Sequence, residues 1–186
     1  MHIYFDVDGC LANFVKGISI KIFEEVKNPD TSSKTIMRNI KKFVANFGTE
    51  YRLLTEQELR LPYVRSLLYK LCARKGYFYD LELLDNGVWN IGREFCGENY
   101  SFLTAPIGDY AEADKQAWCR DVRGSDNECI VVDKTLKPNY ANSKSILIDD
   151  YETTCVKFRE AGGHAFHWAE GREEELREFL KGLYEC

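Results

Sequence analysis

The sequence predicts an α/β protein that has a doubly wound, mainly parallel sheet and a helical cap inserted after the first strand. Two observations predict this class. Short apolar runs alternate with amphipathic helical patterns over residues 1–14 and 80–186, which we assign to the core. Residues 15–79, the cap, show helical spacing and no convincing strand. Strands that alternate with helices form parallel sheets covered on both faces.

Each predicted core strand is an apolar run bounded by polar or turn residues. The predicted strands are 3–5, 100–103, 129–132, 145–148 and 165–168. Helical patterns connect them at 82–97, 111–123 and 151–161, the last of which stops at Gly162-Gly163. A final helix places Leu176, Phe179, Leu180 and Leu183 on one face.

The cap shows three helical patterns. The first two repeat apolar residues at helical spacing, at Val15, Ile18, Ile22 and Val26 and at Ile36, Ile40, Phe43, Val44 and Phe47. The third follows Pro62, a residue suited to the first turn of a helix.

Composition and charge narrow the classes of function. The chain has 186 residues, 45% of them hydrophobic, and a formal net charge of −5. That is enough apolar side chain for a packed core, and no basic block stands out for binding a polynucleotide backbone. The seven cysteines form no CxxC pair, so we expect neither a disulfide framework nor a cysteine zinc site, and a cytoplasmic location. We see no signal peptide and no stretch near the roughly 18 apolar residues that a membrane span needs.

Acidic residues follow two of the predicted strands. Asp6 and Asp8 come directly after the first, and Asp149 and Asp150 follow the fourth. Each pair alone is compatible with an acidic turn that has no function. Together they place four like charges at the carboxyl edge of a parallel sheet, where ligands bind. Such clustering is costly without a cation, and oxygen ligands suit a hard divalent ion such as Mg²⁺.

A hydroxyl residue and several lysines extend this set. Thr104 and Ala105 follow the second strand, where a hydroxyl and a backbone N–H are suitable donors to a phosphate oxygen. Lys134, Lys137 and Lys144 lie between the third and fourth strands and could balance the charge of a phosphate. Surface lysines are usually only solvated, so this signal is weak without the others.

The order of these motifs resembles that of the haloacid dehalogenase (HAD) superfamily of phosphotransferases. The segments that carry the resemblance are FDVDGCLANF at 5–14, FLTAP at 102–106 and ILIDD at 146–150. They are most similar to the 5'(3')-deoxyribonucleotidase type and its phage and bacterial relatives. The resemblance covers all the core strands but gives no residue match in the cap. Asn13 departs from the aspartate usual at its position.

The resemblance implies a role for each motif residue. Asp6 is expected to be the nucleophile that forms an aspartyl-phosphate, and Asp8 the general acid and base. Mg²⁺ is expected to be held by Asp6, the Asp8 backbone carbonyl, Asp149 and Asp150. Phosphate is expected to be bound by Thr104, Ala105 and a lysine, for which we prefer Lys137 over Lys134.

The resemblance further implies a phosphate monoester hydrolase whose substrate is a nucleoside monophosphate, with the cap closing over it. Phe14 aligns with an aromatic residue that packs on the nucleobase, although packing of the helical cap onto the core explains it equally well. The alternatives are a phosphatase for another small metabolite, such as a sugar phosphate, and a non-catalytic binding protein on the same fold. We assign no role to Lys115.

Overall fold

A computed structural model describes residues 1–84 and 87–185. The strands are β1 (His2–Phe5), β2 (Tyr100–Thr104), β3 (Cys129–Val131), β4 (Ser145–Asp149) and β5 (His164–His167). The α-helices are α1 (Phe14–Lys27), α2 (Lys34–Phe47), α3 (Glu56–Leu59), α4 (Pro62–Cys72), α5 (Val88–Cys96), α6 (Ala111–Ala117), α7 (Glu152–Glu160) and α8 (Glu173–Tyr184). A π-helical turn (Trp118–Val122) and a 3₁₀ turn (Lys137–Tyr140) complete the set.

The five strands form one parallel sheet in the order β3-β2-β1-β4-β5, which confirms the predicted class. The chain runs outward from β1 to β2 and β3 on one side, and to β4 and β5 on the other. The strand order therefore reverses between β1 and β4. In open parallel sheets, the crevice at the carboxyl ends of two such strands is where ligands bind.

The sheet is packed on both faces, as a doubly wound arrangement requires. On one face Leu103 and Leu147 pack with Cys155 and Phe158 of α7. On the other face Trp89 of α5 stacks on Phe102, with ring centroids 5.6 Å apart. Successive strand residues point to opposite faces, so strands buried on both sides read as the unbroken apolar runs seen in the sequence.

Each strand boundary lies within one residue of the sequence prediction, and one helix differs by more. The helix expected over 82–97 begins only at Val88, because the preceding chain pairs with the loop after β1. Leu83 bridges Ala12, and the backbone N–H of Leu84 donates to the carbonyl of Leu11 at 2.7 Å. Residues 85 and 86 of that expected helix lie outside the described residues. The last strand is shifted by one residue, to His164–His167.

The chain divides into two compact units. The first comprises Met1–Asn13, Glu82–Pro106 and Lys115–Cys186, and it contains the sheet. The second comprises Phe14–Leu81 and Ile107–Asp114. The sequence division assigned 107–114 to the core, whereas here Gly108 lies directly against the backbone of Ala73, with no room for a Cβ.

The second unit is built from helices. The described residues 14–81 contain no strand, and α1, α2 and α4 pack on one another through rings such as Phe23 and Phe43, 5.3 Å apart. Pro62 occupies the first turn of α4, as expected. A buried carboxylate, Glu25, pairs with Arg74 at 2.7 Å. No helix within the described part of the chain is both long enough and apolar enough to cross a membrane.

Candidate active site

The carboxyl ends of β1 and β4 bring three of the predicted acids together. Asp6 directly follows β1 and Asp149 ends β4, and the backbone N–H of Asp6 donates to the carbonyl of Ile148 at 2.9 Å. One carboxylate oxygen from each of Asp6, Asp149 and Asp150 lies within 4.8 Å of the others. Asp6 and Asp149 are buried, whereas Asp150 is exposed. The cluster therefore sits at the crevice where the strand order reverses.

Lys137 neutralises part of this charge. It begins the 3₁₀ turn after β3 and is 2% exposed. Its Nζ lies 2.7 Å from Asp149 Oδ2 and 3.0 Å from Asp6 Oδ1. Burial opposes the charged form of this lysine, but the carboxylates of Asp6 and Asp149 outweigh it and hold its pKa above the usual value.

The other candidate, Lys134, lies elsewhere. Its side chain is exposed, and its Nζ sits 5.2 Å from the centre of the Tyr151 ring. Of the two lysines left open by the sequence, the structure brings only Lys137 to the carboxylates.

The acid cluster suits a hard divalent cation. Three carboxylates lie together and only two of them contact the Lys137 ammonium, so the site keeps excess negative charge. Asp6 Oδ1 is buried and receives no well-aligned hydrogen bond from the described residues. Mg²⁺ prefers carboxylate oxygens and water, and a cation there would offset both the repulsion and the unmade bond. Asp6, Asp149 and Asp150 are the side chains that could hold it.

Gly9 makes room for Asp150. Its φ is +76°, and a Cβ at this position would overlap Asp150 Oδ2. The turn is closed by its backbone N–H, which donates to the carbonyl of Ala12 at 3.0 Å. The glycine of the DVDG segment therefore permits both the turn and the close approach of the fourth acid.

We expect Gly9→Ala to weaken Mg²⁺ binding by roughly 10-fold or more and to destabilise the fold by about 1–3 kcal/mol, since it strains the turn and displaces Asp150. Gly48→Ala is the matched control, because Gly48 has φ +77° and a Cβ added there would have no atom within 4 Å. Calorimetric Mg²⁺ titration of both variants measures the difference. Equal Mg²⁺ affinity in the two variants would show that the close approach of Asp150 to Gly9 does not contribute to Mg²⁺ binding.

Mg²⁺ affinity is expected to rise with pH through about 6. Burial is the largest cause that raises the pKa of Asp149, the charge of Asp6 adds to it, and the value reaches about 6 despite Lys137. Below that pH a proton competes with the cation for this carboxylate. Titrations with MgCl₂ on either side of pH 6 test this, with Asp149→Asn as the control that should lose the step near pH 6 and keep any step due to Asp150, whose pKa is also raised by desolvation of its carboxyl group. An affinity that did not change with pH would contradict the assignment of Asp149 as a ligand.

In the metal-free protein, the contribution of Asp149 to the free energy of unfolding should decrease as the pH rises. The folded state binds the Asp149 proton more tightly than the unfolded chain, whose pKa is near 3.8. The contribution of Asp149 to the free energy of unfolding is therefore present below 3.8 and is lost as the pH rises to about 6.

A second lysine, Lys115, lies at the carboxyl end of β2. It belongs to α6 and is fully buried. Its Nζ donates to Asp8 Oδ2 at 2.6 Å, to Thr104 Oγ1 at 2.9 Å and to the carbonyl of Ala105 at 2.5 Å. The structure thus joins three of the predicted site residues through a residue that the sequence analysis left without a role.

A signal for Lys115 was present in the sequence. It lies four residues after Ala111 and three before Trp118, so it falls on the apolar stripe of its helix. Trp118, like Lys115, is fully buried. A lysine on an apolar helix face is rarely buried unless it is paired, which makes this position a candidate for a site residue.

Thr104, Ala105 and Phe14 are the remaining predicted site residues. Thr104 ends β2 and is fully buried, and Ala105 comes next in the chain. Phe14 begins α1 and belongs to the second unit. There its ring lies 6.2 Å from that of Tyr77 and 6.5 Å from that of Phe78, two residues of the same unit.

Comparison with known proteins yields similar structures only. No family model matches the sequence, and no curated protein matches it. Three of the solved structures that resemble the chain in backbone are between 9% and 13% identical to it. A predicted HAD-like family hydrolase from Porphyromonas gingivalis is 13% identical, covers 97% of each chain and has a TM-score of 0.45. A HAD family hydrolase from Deinococcus radiodurans, with bound phosphate and sodium, is 10% identical over 94% of this chain and 87% of its own, with a TM-score of 0.44. A HAD family enzyme from Bacteroides thetaiotaomicron, in complex with magnesium and inorganic phosphate, is 9% identical over 91% and 94%, with a TM-score of 0.40.

Proposed function

We propose that the protein is a Mg²⁺-dependent phosphate monoester hydrolase of the HAD type, with Asp6 as its nucleophile. The observation that carries the proposal is the arrangement at the sheet edge. Asp6, Asp149 and Asp150 form one carboxylate cluster beside the Lys137 ammonium, and Asp8 and Thr104 are joined next to it by Lys115. This arrangement supplies a nucleophile, a proton donor, cation ligands and phosphate donors.

In the first half-reaction a carboxylate oxygen of Asp6 attacks phosphorus. The bond from phosphorus to the ester oxygen breaks as the new bond forms, which leaves an aspartyl-phosphate. Asp8, as the carboxylic acid, gives its proton to the departing oxygen, so the alcohol leaves neutral. Burial is the largest cause that raises the pKa of Asp8, against the opposing charge of Lys115, and this favours the protonated form that the step requires.

In the second half-reaction Asp8, now a carboxylate, accepts a proton from water. The water oxygen attacks phosphorus, and the bond from phosphorus to Asp6 breaks. Inorganic phosphate and the Asp6 carboxylate are the products. One residue thus serves as acid and then as base, and the site returns to its starting state.

Phosphoryl transfer depends mainly on positioning and on neutralising charge. A bound Mg²⁺ would polarise the phosphoryl group and offset its negative charge. Lys137 supplies a fixed cation beside the nucleophile, and the Thr104 hydroxyl and the Ala105 backbone N–H are the donors we assign to the phosphoryl oxygens.

For the substrate we propose a nucleoside 5'- or 3'-monophosphate, which would make the protein a nucleotidase of the 5'(3')-deoxyribonucleotidase type. The support is the similarity of residues 5–14, 102–106 and 146–150 to the motifs of that enzyme type. A net charge of −5 without a basic block favours a free nucleotide over a polynucleotide.

A substrate panel tests the function. Phosphate release would be measured from nucleoside 5'- and 3'-monophosphates, sugar phosphates and a terminally phosphorylated oligonucleotide, with Mg²⁺ and with excess EDTA. We expect Mg²⁺-dependent release that is fastest from nucleoside monophosphates. Release from sugar phosphates alone would overturn the nucleotidase proposal and would leave the proposed phosphate monoester hydrolysis intact. Mg²⁺ binding with no release from any of these substrates would favour the non-catalytic binding protein.

A further inference from the structure

The ammonium of Lys115 is held at a fixed point between Asp8 and Thr104. Its side chain has no exposed surface, and a buried charge is costly unless it is paired and hydrogen-bonded. Three oxygens surround it at 2.5–2.9 Å, one each from Asp8, Thr104 and Ala105. Such a buried, charged network has few alternative arrangements, so each partner is fixed in direction as well as in place.

The chemistry of the donors determines what each partner can still do. An ammonium only donates, so the Thr104 hydroxyl must accept from Lys115, and its own hydrogen is left to point to another acceptor. Asp8 binds Lys115 through Oδ2. Its other oxygen, Oδ1, is buried and makes no hydrogen bond with the described residues. Lys115 therefore fixes the direction of the Asp8 carboxyl group through Oδ2.

We propose that Lys115 is a positioning residue, which holds the Asp8 carboxyl group in the orientation for proton transfer to the leaving oxygen and turns the Thr104 hydroxyl hydrogen toward a phosphoryl oxygen. The inference rests on the proposed function, because it gives Lys115 a part in the first half-reaction. Asp8 passes its proton to the ester oxygen as the phosphorus–oxygen bond breaks, and Lys115 takes no part in the proton transfer itself.

The proposal predicts a dependence on the leaving group. A poor leaving group needs the proton from Asp8, whereas a good one departs without it. If Lys115 positions Asp8, loss of Lys115 should slow the hydrolysis of esters of weakly acidic alcohols far more than the hydrolysis of esters of acidic phenols. A lysine that only supported the fold would lower all the rates by a common factor.

The experiment measures kcat/KM for phenyl phosphates with ring substituents of graded electron withdrawal, in native protein and Lys115→Met at saturating Mg²⁺. This parameter includes the departure of the leaving group. The quantity compared is the ratio of the p-nitrophenyl to the p-methoxyphenyl ester within one preparation, so any unfolded fraction cancels. We expect Lys115→Met to raise this ratio by roughly 10-fold or more, within the 10²–10⁴-fold range of general acid catalysis.

Two further variants separate the roles. Thr104→Val should lower both rates by a similar factor, since it removes a phosphoryl donor and leaves Asp8 in place. Asp8→Asn should raise the ratio at least as much as Lys115→Met. Adding Lys115→Met to Asp8→Asn should not raise it further, because Lys115 acts through Asp8.

An unchanged ratio in Lys115→Met, with native protein active, overturns the positioning role and leaves the proposed function intact. A further rise of the ratio in the double variant also overturns it, because Lys115 would then act by itself. Native protein that hydrolyses none of the esters in Mg²⁺ overturns the proposed function, and the role of Lys115 with it.

Discussion

Asp6→Asn is expected to lower phosphate release by roughly 10⁴-fold or more, because an amide cannot serve as the attacking oxygen nucleophile. The substitution keeps the size of the side chain, which is 7% exposed at the end of β1. It also removes one negative charge from a crowded cluster, so we expect no loss of stability in the absence of metal. The measurement is single-turnover phosphate release with the best substrate of the panel.

Asp30→Asn is the matched control. Asp30 is exposed, and its carboxylate accepts hydrogen bonds from Ser32. The control should retain native activity. Retained activity in Asp6→Asn, with deamidation excluded by mass spectrometry, would show that a residue other than Asp6 performs the attack.

Lys137→Met is expected to lower both activity and stability. The substitution leaves Asp6 and Asp149 buried without their ammonium, and breaking a buried ion pair costs about 3–5 kcal/mol. Loss of a fixed cation beside the transferring phosphoryl group should also cost roughly 100-fold or more in rate. Urea unfolding without Mg²⁺ and initial rates with Mg²⁺ would measure the two effects.

Lys134→Met is its control, from the same segment of the chain. The Lys134 side chain is exposed and lies over the face of the Tyr151 ring, away from the carboxylate cluster. Its loss should change the free energy of unfolding by no more than about 0.5 kcal/mol. Loss of activity in Lys134→Met, with Lys137→Met unaffected, would reverse the assignment of the motif lysine.

The sheet was predictable because its signals are local. Each strand is an apolar run that ends at a polar residue, and the parallel order follows from the helices between the strands. Convergence of Asp6 and Asp149 was also predictable, since all parallel strands present their carboxyl ends at one edge. The acids at 149 and 150 follow β4, which pairs with β1 from Ser145 to Ile148.

What the sequence left out depends on tertiary packing. Lys134 and Lys137 are three residues apart and look alike in the sequence, yet a 3₁₀ turn directs only Lys137 inward. Lys115 is separated from Asp8 by more than one hundred residues, and only the pairing of β2 with β1 brings the two together. The segment 107–114 groups with the helical unit, in which Gly108 lies against Ala73, and no periodicity in the sequence reports that contact.

The central claim is that Asp6 carries the phosphoryl group during turnover. The most direct test is to quench the protein during turnover with substrate and Mg²⁺, and then to reduce it with borohydride, which converts an acyl phosphate to an alcohol. Peptide mass spectrometry would then be read at residue 6. We predict homoserine at this position in protein quenched with substrate, and unmodified aspartate in protein quenched without it. Turnover with residue 6 unmodified, or with the reduced residue found at another position, would contradict the account.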